Sequence, residues 1–191
     1  KKDILNLVYL AKFYGLIEVA EFWESVVHIN KWHQSRISQL VVKKLFGTLS
    51  GKKIAIFGFA FKANTNDTRE SAAIQICKDL INEGGNLVIH DPKVDPFQIS
   101  QDLGQEPLKT INESNLINSN GSWQFSKDID ILENCHAALI LTEWDDYKKI
   151  NWDLAANKMF SPAWVFDSRA ILEKEKVIKA GINFWRIGDG S

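Results

Sequence analysis

The sequence has 191 residues, of which 45% are apolar and 25% are charged, so it can bury one compact core with an attached element. Its 23 basic and 24 acidic residues nearly cancel, which leaves no source for the long-range attraction that binds nucleic acid backbones. No apolar run approaches the roughly 18 residues of a membrane span, so we expect a globular protein with neither nucleic acid nor membrane as a partner.

Residues 1–47 show helical periodicity. A short helix ending near Gly15 is followed by a longer one, whose apolar residues recur from Val19 to Leu45. If the second helix is continuous for about 28 residues, it is roughly 42 Å long, which is more than a domain of this size needs for its own cover. The additional apolar surface is consistent with a helix packed in the core or with a helix that bridges two domains or two subunits. The pattern does not distinguish these alternatives.

From Gly51 onward, apolar strands alternate with helical stretches. Strands are predicted at 54–57, 87–89, 137–141, 164–166 and 182–185, and helices at 68–83, 127–134, 146–158 and 171–180. Apolar strands without alternation, separated by helices, are typical of a parallel sheet that is buried on both faces. The predicted fold class is therefore α/β, with a doubly wound, mostly parallel sheet preceded by a long amphipathic helix. We expect residues 100–122, rich in Asn, Ser, Gln and Gly, to be irregular.

The start of the chain, the cysteines and the histidines indicate its boundaries, its redox environment and its metal binding. The chain begins Lys1-Lys2-Asp3, without a methionine or a signal-peptide pattern, so we expect a front portion to be absent. Cys77 and Cys135 stand in apolar segments without Cys-x-x-Cys spacing, which favours reduced, packed thiols in a cytoplasmic protein. The four histidines lack metal-ligand spacing, and we expect no metal site.

The turn after the first strand, 58–62, lies where an open α/β sheet binds its ligand. It carries only Gly58, where a dinucleotide fingerprint has three glycines, so a tightly cradled pyrophosphate is not expected. Lys62 and Arg69 instead extend positive charge from this edge, although either residue could equally be a solvated or paired surface group. Asp67, with Glu70 three residues later, is predicted to cap the following helix.

Other strand ends reach the same edge. The segment His90-Asp91-Pro92 indicates a turn with a capping carboxylate, and 142–145 is predicted to cap a further helix. Arg169 ends a later strand, so its side chain can meet Lys62 around a shared anion.

Four motifs resemble the carboxyl-terminal half of the nucleotide-sugar dehydrogenases, the UDP-glucose/GDP-mannose dehydrogenase family: "GFAFKANTNDTRES", "HDP", "LTEWD" and "VFDSR". The front segment, "KKDILNLVYLAKFYGLIEVAEFW", is similar to the stretch that follows the family's catalytic cysteine, so the resemblance covers nearly the whole chain. Within the family, the sequence of residues 67–71, DTRES, resembles that of UDP-glucose 6-dehydrogenases more than that of enzymes that use UDP-N-acetylmannosamine or GDP-mannose.

The resemblance implies an enzyme that oxidises UDP-glucose to UDP-glucuronate with two NAD in succession, through a covalent cysteine intermediate. The family's thiol would lie two positions before Lys1 and its NAD-binding domain further upstream. The chain would then supply a central helical region, 1–47, and a Rossmann-like UDP-sugar-binding domain, 48–191. It is expected to be inactive alone, and its long helix implies a homodimer or higher assembly.

The resemblance also assigns residues near the reacting centre. Asp3 matches the carboxylate that assists the cysteine chemistry and is the implied catalytic residue. Lys1 and Lys2 match the segment that borders the NAD cofactor, and Arg69 matches an arginine that reaches the same cofactor.

Three residues match positions that bind the nucleotide sugar: Phe61, Lys62 and Arg169. A cleft shared between two domains would explain why the turn at 58–62 offers side chains in place of a glycine cradle. The alternative is a degenerate binding or oligomerisation module that keeps the shape of the fold without its chemistry.

Overall fold

The computed structural model of the chain describes residues 2–108 and 121–189. Two helices come first, α1 at Lys2–Phe13 and α2 at Ile17–Lys44. Gly15 lies between them with a φ of +72°, a backbone conformation that glycine adopts without strain. The α2 helix has 28 residues, the length considered from the sequence. Within the described residues, no helix is both long enough and apolar enough to cross a membrane.

The long helix contributes to two hydrophobic clusters. Near its start, Ala20 packs with Val8 and Ala11 of α1, whereas Ile37 and Val41 belong to the main core of the chain. The division into 1–47 and 48–191 therefore does not coincide with the limit of the core and stays a prediction. Large apolar side chains remain exposed on the two helices: Leu5, Leu7, Tyr9, Leu10, Phe13, Ile17, Val19, Phe22, Ile29 and Trp32.

The main core is built on a sheet of six strands. They are β1 at Lys53–Phe57, β2 at Asn86–His90, β3 at Ser122–Phe125, β4 at Ala137–Ile140, β5 at Trp164–Asp167 and β6 at Asn183–Arg186. Their order is β3-β2-β1-β4-β5-β6, and every neighbouring pair is parallel. This is the strand order of a doubly wound nucleotide-binding sheet, so the predicted fold class is confirmed.

Helices and one 3₁₀ turn connect the strands. They are α3 at Ala72–Asn82, α4 at Pro96–Leu103, the 3₁₀ turn at Asp145–Lys149, α5 at Trp152–Lys158 and α6 at Lys174–Lys179. Since β2 and β4 are buried along their whole length, the apolar character of these strands follows from cover on both faces.

Two elements, α4 and β3, were not predicted. The α4 helix has clear boundary signals, since Asp95 Oδ1 accepts from the backbone N–H of Gln98 and Gly104 ends the helix in the left-handed conformation. The β3 strand is short and lies at the edge of the sheet, where only Ser122 and Trp123 are buried. The expected irregular segment 100–122 therefore overlaps α4 and β3, and its residues 109–120 lie outside the described residues.

The predicted helix at 127–134 is wrong, since this segment forms bends and turns. The backbone N–H of Asp128 donates to Ser126 Oγ, and that of Asp130 donates to Asp128 Oδ1. Such short-range bonds give the backbone an alternative to helical pairing. The predicted helix at 146–158 is interrupted for a related reason, because Asn151 starts a new helix by accepting from the N–H of Leu154.

Candidate functional site

A carboxylate of the protein itself holds the turn after β1. Asp91, which follows β2, is 4% exposed, and its Oδ2 accepts from the backbone N–H groups of Phe59 at 2.8 Å and Ala60 at 3.0 Å. In a dinucleotide-binding sheet, this first turn and the helix start behind it present backbone N–H groups to the pyrophosphate. Here the N–H groups of 59 and 60 already have an anion as their partner.

The other oxygen of Asp91 organises its own turn. Oδ1 accepts from the backbone N–H groups of Lys93 and Val94, both at 2.9 Å, which confirms the capping carboxylate predicted at this position. Trp144 adds a bond from its indole N–H to Oδ2 at 3.3 Å. The link to the turn after β1 was not predicted, because it depends on how β1 and β2 pair.

Gly58 is required by close packing against the end of β4. Its φ is +95°, and a Cβ at this position would lie 2.3 Å from the Cβ of Thr142. Thr142 Oγ1 donates to the carbonyl of Ala60 at 2.7 Å. The prediction that 142–145 caps the next helix is therefore wrong, since Trp144 stands at the start of the 3₁₀ turn without a side-chain cap bond.

The predicted cap at Asp67 is also wrong. The α3 helix is capped by Ser71, whose hydroxyl accepts from the N–H of Ala73 at 3.3 Å, and it begins at Ala72. Glu70 has a φ of +62°, so the backbone before Ser71 does not follow a helical path.

Asp67 instead binds Arg69. Its Oδ1 accepts from the backbone N–H and the Nε of Arg69, and its Oδ2 accepts from the guanidinium at 2.8 Å. These bonds lower the pKa of the Asp67 carboxyl to about 2. The positive charge expected from Arg69 at this edge is thus offset by a neighbouring carboxylate.

Arg169 is fixed between two loops at the carboxyl ends of the strands. Its Nε donates to the carbonyl of Leu141 at 2.7 Å, and its terminal nitrogen donates to the carbonyl of Phe61 at 3.3 Å. Nε also lies 3.4 Å from Glu143 Oε2. A guanidinium has about five N–H donors in a planar fork. The donors not used in these contacts have no hydrogen-bond partner within the part of the chain that the structure describes.

The contact with the Phe61 carbonyl joins Arg169 to the loop that carries Phe61 and Lys62, and we call these three residues the cationic rim. The side chain of Phe61 is 47% exposed, and Lys62 is exposed beside it. The Lys62 ammonium contributes to lowering the pKa of Asp67, but it has no hydrogen bond or ion pair to another described residue. The roles of these residues in binding stay predictions.

Glu143 was not predicted at this rim. Its Oε1 accepts from the backbone N–H of Ala63 at 3.3 Å, and its buried Oε2 has no hydrogen bond apart from the ionic contact with Arg169. The available signal was its position, because Glu143 follows β4, the strand that lies between β1 and β5 at the ligand edge.

The predicted catalytic and cofactor residues at the front of the chain are not brought to the cationic rim. Lys2 and Asp3 are exposed in the first turn of α1, which packs against α2, and Lys1 lies outside the described residues. Within 2–108 and 121–189, neither Lys2 nor Asp3 has a hydrogen bond or ion pair to the rim, and no three side chains of His, Cys, Asp or Glu gather as metal ligands.

Comparison with known proteins gives matches along the chain. The sequence model of the UDP-glucose/GDP-mannose dehydrogenase family, UDP binding domain, matches residues 55–174. UDP-glucose 6-dehydrogenase of Drosophila melanogaster is 40% identical over 188 residues, which cover 98% of this chain and 39% of that protein. UDP-glucose 6-dehydrogenase 2 of Oryza sativa subsp. japonica is 37% identical over 196 residues, with coverages of 98% and 40%. The chain thus spans about two fifths of the length of these relatives.

Solved structures share the fold. A UDP-glucose dehydrogenase from the archaeon Pyrobaculum islandicum superposes with a TM-score of 0.67 at 23% identity, over 96% of this chain and 36% of that chain. An NDP-N-acetyl-D-galactosaminuronic acid dehydrogenase from Methanosarcina mazei Go1 gives a TM-score of 0.60 at 18% identity, over 90% and 30%. With the sequence match over 55–174 and relatives near 40% identity, the resemblance of the motifs is confirmed, and the chain belongs to the UDP-glucose/GDP-mannose dehydrogenase family.

Proposed function

We propose that the chain is the carboxyl-terminal part of an NAD-dependent UDP-glucose 6-dehydrogenase and supplies its nucleotide-sugar-binding residues. In the intact protein, UDP-glucose is oxidised to UDP-glucuronate in two hydride-transfer steps through a covalent cysteine intermediate. NAD, held mainly by an upstream domain, would supply the hydride acceptor. The observation that carries the proposal is the fixed guanidinium of Arg169, which is held by the main-chain carbonyls of Leu141 and Phe61, the residue before the exposed Lys62.

The cationic rim fits a nucleotide diphosphate. Because Arg169 is already bound to the carbonyls of Leu141 and Phe61, little side-chain freedom is left to lose when an anion arrives. A planar guanidinium suits phosphate oxygens, and Lys62 adds a second positive charge. The exposed ring of Phe61 offers an apolar face next to both charges.

The turn after β1 explains why side chains carry the binding. Asp91 occupies the N–H groups of Phe59 and Ala60, and Gly58 is held against Thr142, so the backbone of the turn has no place for a phosphate. The same feature would suit a degenerate binding or oligomerisation module that keeps the fold without its chemistry. The two functions make different predictions for the cationic rim, because only the enzyme requires Lys62 and Arg169 to bind a ligand.

The remaining roles rest on the family resemblance. Asp3 assists the cysteine chemistry, while Lys1, Lys2 and Arg69 border NAD that is bound mainly by an upstream domain. The exposed apolar side chains of α1 and α2 support a homodimer or higher assembly through these helices. The buried thiols of Cys77 and Cys135 are compatible with a cytoplasmic location.

The proposal is tested by titrating the chain with UDP and observing backbone amide signals by NMR. Lys62→Ala and Arg169→Ala should each weaken UDP binding about 5- to 150-fold, corresponding to about 1–3 kcal/mol for a hydrogen bond to a charged group. Lys31→Ala, on the exposed side of α2, removes the same charge elsewhere and should leave UDP binding unchanged. Unchanged affinity in both rim variants would show that Lys62 and Arg169 do not hold UDP and would contradict the proposed site.

Enzyme activity gives an independent test. The chain alone should produce no NADH from UDP-glucose and NAD, whereas a longer protein with the upstream cysteine and NAD-binding domain should be active. Substrate choice is tested in that longer protein by comparing kcat/KM for UDP-glucose, UDP-N-acetylmannosamine and GDP-mannose. Turnover by residues 1–191 alone, or a preference for either of the other sugars, would contradict the proposal.

A further inference from the structure

A cavity lies at the end of β2, and no residue of the cationic rim is part of its lining. It has a volume of about 620 Å³, within the range of roughly 300–1,000 Å³ that is usual for small-molecule sites. Its apolar lining includes Ile129, Leu132, Leu154 and Ala155. Leu154 is 60% exposed on α5, so a substantial apolar surface faces solvent here without cover from the described residues.

His90, which is 6% exposed, also lines the cavity. The Tyr147 hydroxyl donates to the main-chain carbonyl of His90 at 3.1 Å and lies 3.2 Å from its Nδ1. Both contacts are hydrogen bonds only in the tautomer that carries a proton on Nδ1 and donates it to the Tyr147 oxygen, and we take this tautomer for the proposal below. Burial lowers the pKa of His90, which favours the neutral ring and leaves Nε2 as an acceptor.

His90 Nε2 has no hydrogen-bond partner among the described residues, although the ring is almost entirely buried. Lysines and aspartates surround the mouth of the cavity. Lys149 pairs with Asp146 at 2.7 Å, and Lys158 pairs with Asp130. Lys127 has no hydrogen bond or ion pair to a described residue, so the lining carries one cation that is not neutralised.

We propose that this cavity is a second small-molecule site, which takes a flat heteroaromatic ring bearing an N–H donor and one anionic substituent. The ring lies against the apolar walls, its N–H donates to His90 Nε2, and the anionic group meets Lys127. The chemistry is that of a mononucleotide. The site is separate from the cationic rim, and the proposal does not depend on the activity of the intact enzyme.

The test is calorimetric titration of the 191-residue chain with adenosine 5′-monophosphate, adenosine and ribose 5-phosphate. The mononucleotide should bind at least about tenfold more tightly than either part, because each part lacks one of the two contacts. Lys127→Glu should weaken its binding about tenfold or more, and Leu154→Arg should also weaken it by filling the mouth of the cavity. Lys31→Glu, a matched charge reversal on α2, and Arg169→Ala, at the cationic rim, should have no effect.

The position of the ligand is read from the nitrogen NMR signal of His90 Nε2, which should shift on binding as this atom accepts a hydrogen bond. No binding of the mononucleotide, or equal binding of ribose 5-phosphate, would overturn the proposal. Loss of binding in Arg169→Ala, with binding unchanged in Lys127→Glu, would place the probe at the cationic rim. That result would also overturn the second site, but would leave the proposed function intact.

Discussion

Replacement of Asp91 by Asn tests whether this carboxylate holds the ligand edge of the sheet together. The amide of Asn has the same shape but only one acceptor oxygen, whereas both carboxylate oxygens of Asp91 are used. If the amide oxygen serves Phe59 and Ala60, the amino group points toward the N–H groups of Lys93 and Val94. Those two donors then have no acceptor.

The magnitude follows from these lost bonds. A buried donor without a partner costs about 1–3 kcal/mol. Val94 is buried and Lys93 is exposed, so we expect Asp91→Asn to lower the free energy of unfolding by about 2–4 kcal/mol. In a protein of this size, a loss of that order lowers Tm by roughly 5–15 °C.

The assay is thermal and urea unfolding followed by circular dichroism, with Asp145→Asn as the matched control. Asp145 is 84% exposed at its side chain and pairs with Lys148, so its replacement should leave Tm nearly unchanged. If Asp91→Asn had the same Tm as the control, the hydrogen bonds of Asp91 would not stabilise the native state. The account of the turn after β1 would then be wrong.

Three further outcomes are expected. Gly58→Ala should cost about 3–5 kcal/mol in unfolding experiments, because of its clash with the β4 end, whereas Gly104→Ala, with open space around it, should cost about 1 kcal/mol. Cys77 and Cys135 should resist a thiol reagent until the chain is unfolded, since burial raises the pKa of both thiols, that of Cys135 to about 12. The Asp67 carboxyl should titrate near 2 by NMR and move toward 3.8 in Arg69→Gln; its contribution to stability, fully present above 3.8, is lost as the pH falls through 2. The first expectation would be contradicted if both glycine variants lost the same free energy of unfolding, and the second if the thiols of the folded chain reacted. The third would be contradicted if the pKa of Asp67 did not change in Arg69→Gln.

The sheet could be predicted because strands that are buried on both faces have continuous apolar sequences. The segments that became β1, β2, β4, β5 and β6 were all identified, and the length of α2 followed from its periodicity. The β3 strand was missed because it is short, lies at the edge and buries only part of its side chains. The α4 helix was missed although Asp95, Pro96 and Gly104 mark its ends.

The candidate site could be predicted only in part. The rule that parallel strands present their carboxyl ends at one edge was enough to place Arg169 near the turn at 58–62. It could not show that the guanidinium would bind the main-chain carbonyl of Phe61, because a carbonyl carries no sequence signal. Asp67 and Ser71 are both good capping residues, and the choice between them depended on the positive φ of Glu70.

The pairing of β1 with β2 connects these observations. Phe57 lies opposite His90, so the residues that follow each strand, Gly58 and Asp91, become neighbours, and the N–H of Gly58 donates to the His90 carbonyl at 2.8 Å. This register delivers the Asp91 carboxylate to the N–H groups of 59 and 60 and closes the turn to phosphate. Under the proposed function, a ligand at this edge is held by side chains that project from the loops, where Arg169 is fixed to the carbonyls of Leu141 and Phe61 and Lys62 is exposed next to Phe61. The register of β1 and β2 thus accounts for the way in which Asp91 occupies the turn.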